Sequence, residues 1–585
     1  MVFARLTSLF LRIEQETSRL VITQLLAELF AQVPAEDASF VAYFCLGELY
    51  PSYCNKTTQL ADKTAVKVIA ALLCQDAAAV RAGIKQAGDV GTYLRMMMPR
   101  DLGRHAPASV RTVKEVLHAI VDTTGAGSQE AKEQQLLSLL GMLDADEACF
   151  VMRSVTGTLR LGFSDMTMLD AYSWMLDGSK KYREDLEHCY NVTADIGHVL
   201  YVLKTEGIDG IRRATMIPGV PVRPAAADRM PDSAAVFAKL GPCVAQQKLD
   251  GFRVQIHRWR DELGIMQTRF FSRNLHDMSS MFPDLVRALD VLTVDSVIME
   301  GEAIVRDPAT GTFVPFQETV KRKRKHGVDA AAEQLPLTLY VFDLLYVHGE
   351  SLLECSHVQR RQKLCALIPA QGQVQVIEEV AIHSARDLAL YFEYAMGAGL
   401  EGVVVKNPAA SYQPGKRSSN WIKLKREERG ELADTLDCVI LGYYAGAGKR
   451  TLFGIGAFLV GVYNPTSDCF ETIAKIGTGL SDAEWRELKG RCDAAAVPAQ
   501  PHNVCCAPDL APDVWVAPMV VCCVRADDIT RSPLHTAGKA DGQPGYALRF
   551  PRIMGYRPDK GATDATTPAE VVALYQLQDL KHKKG

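Results

Sequence analysis

The spacing of apolar residues changes along this chain, and that change constrains the fold more than any other feature. Up to about residue 200 apolar side chains recur at i, i+3 and i+4, in segments such as SRLVITQLLAELFAQV (18–33), TAVKVIAALL (64–73) and EQQLLSLLGML (133–143). A helix turns every ~3.6 residues, so this spacing lines one helical face. Ser128 and Asp144 are expected caps. From about 212 the pattern becomes short runs rich in Val, Ile, Leu and Phe and bounded by Gly and Pro: FRVQIH (252–257), SVIMEGEAIV (296–305) and LTLYVFDLLYV (337–347). These read as strands. The helical pattern ARDLALYFEYAMGAG (385–399) is interleaved with them, and the proline-rich stretch 216–232 reads as a linker or extended wrap. After EERGELADTLD (427–437), segments such as LDCVILGYY, FGIGAFLVGVY, FETIAKIGTG and DVWVAPMVVCCVRADDI (513–529) read as short strands with glycine turns, forming a small barrel.

A single core stops growing near ~250–300 residues. The 585 residues therefore call for several domains, in agreement with the three textures. With 48% hydrophobic and 23% charged residues, disorder, collagen and a coiled coil are excluded as global descriptions. The net charge of −4 is unevenly spread. Residues 201–430 hold 30 Lys and Arg against 27 Asp and Glu, whereas 1–200 hold 19 against 24 and 431–585 hold 16 against 18. Any anionic partner must then be met by local basic faces, with marked sensitivity to salt. The 15 cysteines form no C-x-x-C pair, which argues against a four-cysteine zinc module and for reduced thiols. No apolar run reaches the ~18 residues of a membrane span.

The sharpest chemical signal is QQKLDGFRVQIH (246–257). A desolvated lysine among other cations can lose its proton and act as a nucleophile. Asp250 beside it can hold a metal or a hydroxyl, Gly251 permits close backbone approach, and Arg253 can meet a phosphate. Downstream, in order, stand Ser272–Arg273–Asn274, Glu300–Gly301–Glu302, Phe342–Asp343–Leu344–Leu345–Tyr346, Glu401–Gly402–Val403–Val404–Val405–Lys406 and Trp421–Ile422–Lys423–Leu424–Lys425. In the last, the strand period of two puts Lys423 and Lys425 on one face. Two ammonium groups converging there call for an anionic ligand such as a triphosphate. Any one element alone is ordinary strand decoration; the ordered set is not.

In that order the elements resemble the motifs of ATP-dependent DNA ligases, within the covalent nucleotidyltransferase superfamily, and most of all the archaeal and eukaryotic replicative type. The resemblance extends to LRLGFSDMTMLDA (159–171), and to 513–538 and ALRFPRIMGYRPDKGATDATT (547–567). It implies a multidomain architecture: an all-α DNA-binding domain (1–211), an α+β nucleotidyltransferase, or adenylation, domain (212–430) and a β-barrel OB-fold domain (431–585). It implies an enzyme that seals 5′-phosphate/3′-hydroxyl nicks in duplex DNA, in replication, repair and recombination, with ATP and Mg²⁺ as cofactors. Lys248 would be the catalytic nucleophile, giving lysyl-AMP and then DNA-adenylate. Gln246, Arg253, Arg273, Glu302, Phe342, Arg417, Lys423 and Lys425 would bind nucleotide or nick phosphates, with Phe342 on the adenine. Asp250, Glu302 and Glu401 would hold metal, and Arg549, Arg557, Asp559 and Lys560 would close over ATP from the barrel.

The chain departs from the family pattern at Gln246, where glutamate is frequent and would contact adenine, a contact for which the Gln246 carbonyl can still accept a hydrogen bond, and at Gly555, where arginine is frequent. The family expectation is a monomer that encircles nicked DNA without a membrane, cytoplasmic (with the nucleoid) in a prokaryote and nuclear otherwise. A sliding clamp is a further partner of such enzymes, although no clamp-binding peptide stands out. RNA ligases and capping guanylyltransferases share the lysine motif but lack the preceding helical domain, and the zinc-finger cysteines of NAD-dependent ligases are absent. A catalytically dead DNA-binding scaffold would not need Lys248, Glu302, Glu401, Lys423 and Lys425 together. Among the remaining residues, Asp343, Tyr346 and Trp421 are expected to be structural, and His257 and His276 to lie at the surface. AGAGKR (445–450) lacks the Ser or Thr of a P-loop, so Lys449 and Arg450 are expected to face DNA or solvent. The basic run KRKRKH (321–326) is either a solvated loop or a phosphate contact.

Overall fold

The structure is a computed structural model that describes residues 1–98, 107–159, 161–306, 313–314, 319, 322, 327–425, 435–446, 448–540 and 542–584. Most of the basic run 321–326, residues 427–434 of the EERGELADTLD segment, Arg160 and Ala447 lie outside the described residues. The chain forms two compact units, one of residues 1–80 and 94–425, the other of residues 81–93 and 426–585.

The first unit begins with helices, from Phe3–Gln15 to Ile196–Arg212. The predicted segments at 18–33, 64–73 and 133–143 become Arg19–Gln32, Asp62–Leu73 and Ser128–Leu140. Asp144 caps Ala145–Val155 in a reciprocal capping box with Glu147. Ser128 does not cap: it is the first helical residue, and Gly127 with a positive φ precedes it. The apolar stripes meet in an aromatic core, with Phe10 edge-on to Phe150 at 5.2 Å and Phe30 edge-on to Tyr172 at 4.8 Å. Asp195 ties distant segments together. It caps the helix from Ile196 through His198 N (2.8 Å) and accepts the hydroxyls of Tyr43 (2.6 Å) and Tyr53 (2.7 Å).

The proline-rich stretch is an extended wrap. The backbone N–H and C=O of Val222 both pair with the Gln255 side chain (2.7 and 3.0 Å), and Ala225 N donates to Tyr412 Oη (2.9 Å). It leads into two sheets. One has the order β1-β11-β10-β2-β9, from β1 (Ala226–Arg229), β2 (Cys243–Lys248), β9 (Glu379–Ile382), β10 (Gly402–Lys406) and β11 (Arg417–Lys425). The other has the order β4-β3-β5-β6-β7, from β3 (Phe252–Arg260), β4 (Met266–Ser272), β5 (Ser296–Val305), β6 (Leu337–Val347) and β7 (Glu350–Ser351), with β8 (Val374–Val376) parallel to β6. Helices Ser233–Leu240 and Ala385–Gly397 pack on the first sheet; their Val236, Leu388 and Ala395 join Ala245, Val403, Val405, Ile422 and Leu424 in one core. With alternate residues of β2, β10 and β11 committed to that core, the intervening ones must face the other way.

The second unit is rich in strands. β12 (Leu436–Tyr444), β13 (Ala457–Asn464) and β14 (Cys469–Ile476) form an antiparallel meander whose register slips at Ile440/Gly442 and Val460/Gly461. Such bulges increase local twist. Its core includes Ile440, Phe458, Val460, Ile473 and Trp485. No described helix is long and apolar enough to cross a membrane.

Candidate active site

The face of the first sheet turned away from its core carries the chemistry. Backbone register sets Lys248 opposite Gly402 and Gly402 opposite Lys425; one rung along come Gln246, Val404 and Lys423, then Lys406 and Trp421. Lys423 and Lys425 thus share one face, as their spacing predicts. Gly402 lets the central strand bring Lys248 near Lys425: its φ is +141°, and an added Cβ would lie 2.9 Å from Lys425 Cα.

One carboxylate organises this end. Glu401 Oε2 pairs with Lys248 Nζ and with Lys425 Nζ (3.1 Å). Burial works to raise the Glu401 pKa, but Lys248 and then Lys425 outweigh it and hold the group below its ordinary value. Asp250 is pushed up to about 6, first by burial and then by Glu401, with Lys248 opposing, and when protonated it hydrogen-bonds Glu401. Glu302, on β5, is pushed up to about 7 by burial against the pull of Lys248 and Arg253, and it accepts the Gly251 N–H at 3.1 Å. A Cβ at position 251 would meet the Ala303 carbonyl oxygen at 2.5 Å, so only glycine lets the turn after Lys248 pass this close to β5. Among the described residues, no three His, Cys, Asp or Glu side chains form a ready metal centre.

Arg273 and Arg417 are exposed, and both act on Lys423. The Lys423 pKa is lowered by burial, then by Lys425, Arg417, Arg273 and Lys248, so five cations share one region. An excess of positive charge of this kind, with Glu401 paired to two of the five, is a site for phosphate. Arg253 is placed differently from a free phosphate contact: its guanidinium is bonded to Glu300 (3.0 and 3.2 Å) and lies 5.5 Å from the Phe342 ring centre. Phe342 is half-buried and meets Trp421 edge-on at 6.2 Å.

Beneath lies a polar network that the motif reading left unassigned. Buried Asp343 pairs with buried Arg360 (2.7 Å), and Lys406 donates to the Phe342 carbonyl (3.0 Å) with its pKa lowered to about 8 by burial, against the pull of Asp343. Gln246 Nε2 donates to Glu379 (2.7 Å), which also pairs with His357 (2.7 Å) and Arg361 (3.1 Å). Glu300 holds Arg253 and accepts the Tyr412 hydroxyl at 2.8 Å. These partners are 17 to 133 residues apart in sequence, and no short motif joins them. Asp343 and Trp421 are buried, and His276 is exposed. His257 is not at the surface: it is fully buried, accepts the Gly219 N–H at 3.1 Å, and burial holds its pKa down to about 3. It sits on the face of β3 that the proline-rich wrap covers.

In the second unit, Arg557 bonds Asp437 (3.2 Å) and Asp559 (2.8 Å), and Lys560 bonds Asp437 (2.6 Å). Arg549 is exposed at the end of strand Gly545–Arg549. A side chain at Gly555 would meet open space, so no steric demand explains the glycine. Arg450 is half-buried: it donates to the carbonyls of Gly456 and Gly477 (both 2.7 Å) and lies 5.0 Å from the Trp485 ring centre.

The sequence matches three family models: DNA ligase N terminus at residues 2–173, ATP dependent DNA ligase domain at 224–425, and ATP dependent DNA ligase C terminal region at 453–560. A probable DNA ligase of Dictyoglomus thermophilum is 39% identical over 580 residues, covering 99% of this chain and 98% of the relative. A DNA ligase of Pyrobaculum calidifontis is 36% identical, covering 99% of each. The solved structure of Pmar-Lig_PreS3 covers 94% of this chain and 99% of its own, with a TM-score of 0.53 at 16% identity, a likeness of fold. The lysine, its paired acids and the shared cationic face lie within the matched central region, and with full-length relatives on either side the chain belongs to the ATP-dependent DNA ligase family.

Proposed function

We propose that Lys248 is the nucleophile that attacks the α-phosphorus of ATP in the first step of nick sealing. The observation that carries this reading is the Glu401 carboxylate held between Lys248 and Lys425. A new N–P bond forms, the bond to the β-phosphate oxygen breaks, and pyrophosphate leaves. Before attack Lys248 must shed a proton, and Glu401 is the carboxylate paired with it. Lys425 and Lys423, with Arg273 and Arg417 behind them, offset the charge gathered on the phosphates. AMP then passes to the 5′-phosphate of a nick in duplex DNA, and the 3′-hydroxyl displaces it.

Magnesium suits the donor set. Asp250 and Glu302 are hard oxygen ligands whose pKa values burial raises, and a bound divalent cation would favour their charged forms. Asp250, Glu302 and Glu401 are the residues that would hold it; when bound it would neutralise phosphate charge. Phe342 would stack on the base. We divide the chain into a helical DNA-binding domain (1–211), an adenylation domain (212–430) and an OB-type barrel (431–585). Arg549, Arg557, Asp559 and Lys560 of the barrel would orient the leaving pyrophosphate.

The test is incubation with α-labelled ATP and Mg²⁺. Wild type should carry label through denaturing electrophoresis, and Lys248→Ala should carry none. An adduct that persists in the variant would sink the assignment.

A further inference from the structure

We propose that Glu379 is a positioning residue that makes the site select adenine over guanine, by fixing which way round the Gln246 amide stands. The inference rests on the reading of Lys248 as the nucleophile toward ATP.

Gln246 and Lys248 project from the same face of β2, about 6.6 Å apart along the strand at ~3.3 Å per residue. Lys248 marks the place of the α-phosphate. One rung beyond Gln246 on this face stand Lys406 and Trp421, with the Phe342 ring against both: 5.1 Å from Lys406 Nζ to the ring centre and 6.2 Å between the ring centres. The aromatic end is the place for a base, and Gln246 lies between it and the nucleophile.

An amide is ambiguous, since one end donates and the other accepts. Here the choice is made by its neighbour. Glu379 collects three donors: Gln246 Nε2 (2.7 Å), His357 Nε2 (2.7 Å) and Arg361 Nε (3.1 Å). Burial works to raise its pKa, but His357 and Arg361 outweigh burial and the group stays below its ordinary value. A carboxylate has no proton to give, so the amide must turn its nitrogen toward Glu379. The Gln246 carbonyl oxygen is left pointing away, with no donor among the described residues bonded to it. Adenine offers an exocyclic amine to such an acceptor. Guanine offers a carbonyl at the same ring position, and two acceptors would then face each other unpaired. A glutamate at position 246 would be an acceptor by its own chemistry. The glutamine of this chain is an acceptor only while Glu379 holds its other end.

The test measures kcat/KM of lysyl-nucleotide formation with ATP, GTP and purine riboside triphosphate, which lacks the amine. Wild type should prefer ATP over purine riboside triphosphate by about tenfold, the worth of one buried hydrogen bond, and should use GTP more poorly still. Glu379→Gln, whose own amide can donate to Gln246, should let Gln246 turn over and lower the ATP/GTP ratio at least about tenfold, through KM rather than kcat. Glu379→Ala should lower it in the same direction. An unchanged ratio in Glu379→Gln, or wild type using purine riboside triphosphate as well as ATP, overturns the inference; the second comparison needs no variant to fold. Either result with the ATP adduct intact leaves the nucleophile reading standing, whereas no ATP adduct in wild type removes both.

Discussion

Lys425 Nζ stands 3.1 Å from Glu401 Oε2, the same oxygen that pairs with Lys248. One acid therefore restrains two lysines that would otherwise repel each other across the intervening strand β10. Removing its charge should leave Lys248 less well placed. Glu401→Gln should slow transfer of label from ATP to the protein by about a hundredfold, the usual scale for a misplaced reacting group. Single-turnover labelling measures it, and a rate within threefold of wild type would refute the role.

Two of the acids around Lys248, Asp250 and Glu302, make stability depend on pH in an unusual direction. Glu302 is raised from an ordinary 4.5 to about 7, so the folded chain binds this proton more tightly than the unfolded chain. The resulting stabilisation is complete below pH ~4.5 and is lost as pH rises through 7. Glu302→Gln, which stays neutral, should therefore raise the melting temperature relative to wild type at pH 8 and change it little at pH 5, without nucleotide or metal. Equal differences at both pH values would contradict the shift.

Gly251 lies against β5, and an alanine Cβ would press on the Ala303 carbonyl at 2.5 Å and on Glu302 Cγ at 3.1 Å. Gly251→Ala should destabilise the first unit by about 1–3 kcal/mol, the usual cost of overpacking. It should also reduce labelling by at least about tenfold, because the turn that it displaces begins at Lys248. Denaturant titration and the labelling assay report the two effects separately.

Asp343 and Arg360 are a buried ion pair, with side chains 1% and 0% exposed. Arg360 also donates to the carbonyls of Cys355 (2.6 Å) and Ala410 (3.3 Å), so it joins β6 to the segment after β10. Asp343→Ala would strand a buried guanidinium at a cost of about 3–5 kcal/mol. The prediction is loss of hydrogen-exchange protection across β6 and its neighbours, with protection in the second unit unchanged.

Much of the molecule was legible in the sequence because its signals are local. The 3.6-residue and two-residue periods come from backbone geometry, so the helices and the β3, β5 and β6 runs could be read directly. The motif order located Lys248, Glu401 and the shared face of Lys423 and Lys425, because strand alternation is also local. Other features had no local signal. His257 reads as a polar strand residue, and only the proline-rich wrap packed over β3 makes it buried. Arg450 sits in a glycine-rich loop that resembles a surface, and only folding brings the Gly456 and Gly477 carbonyls to it. Arg253 announces a phosphate contact by its motif, yet its engagement with Glu300 depends on the pairing of β3 with β5.

The sequence by itself determined the order of helical and strand-rich regions, the K-L-D-G-F-R motif at Lys248 and the cations on its strand face, since each follows from backbone period or residue type. Tertiary structure alone decided that Glu401 serves two lysines, that Glu379 orients Gln246, and that Asp343 holds Arg360. In each case the two partners lie on different strands or helices, and a charge or an amide acquires its partner only when folding removes the water that would otherwise have satisfied it.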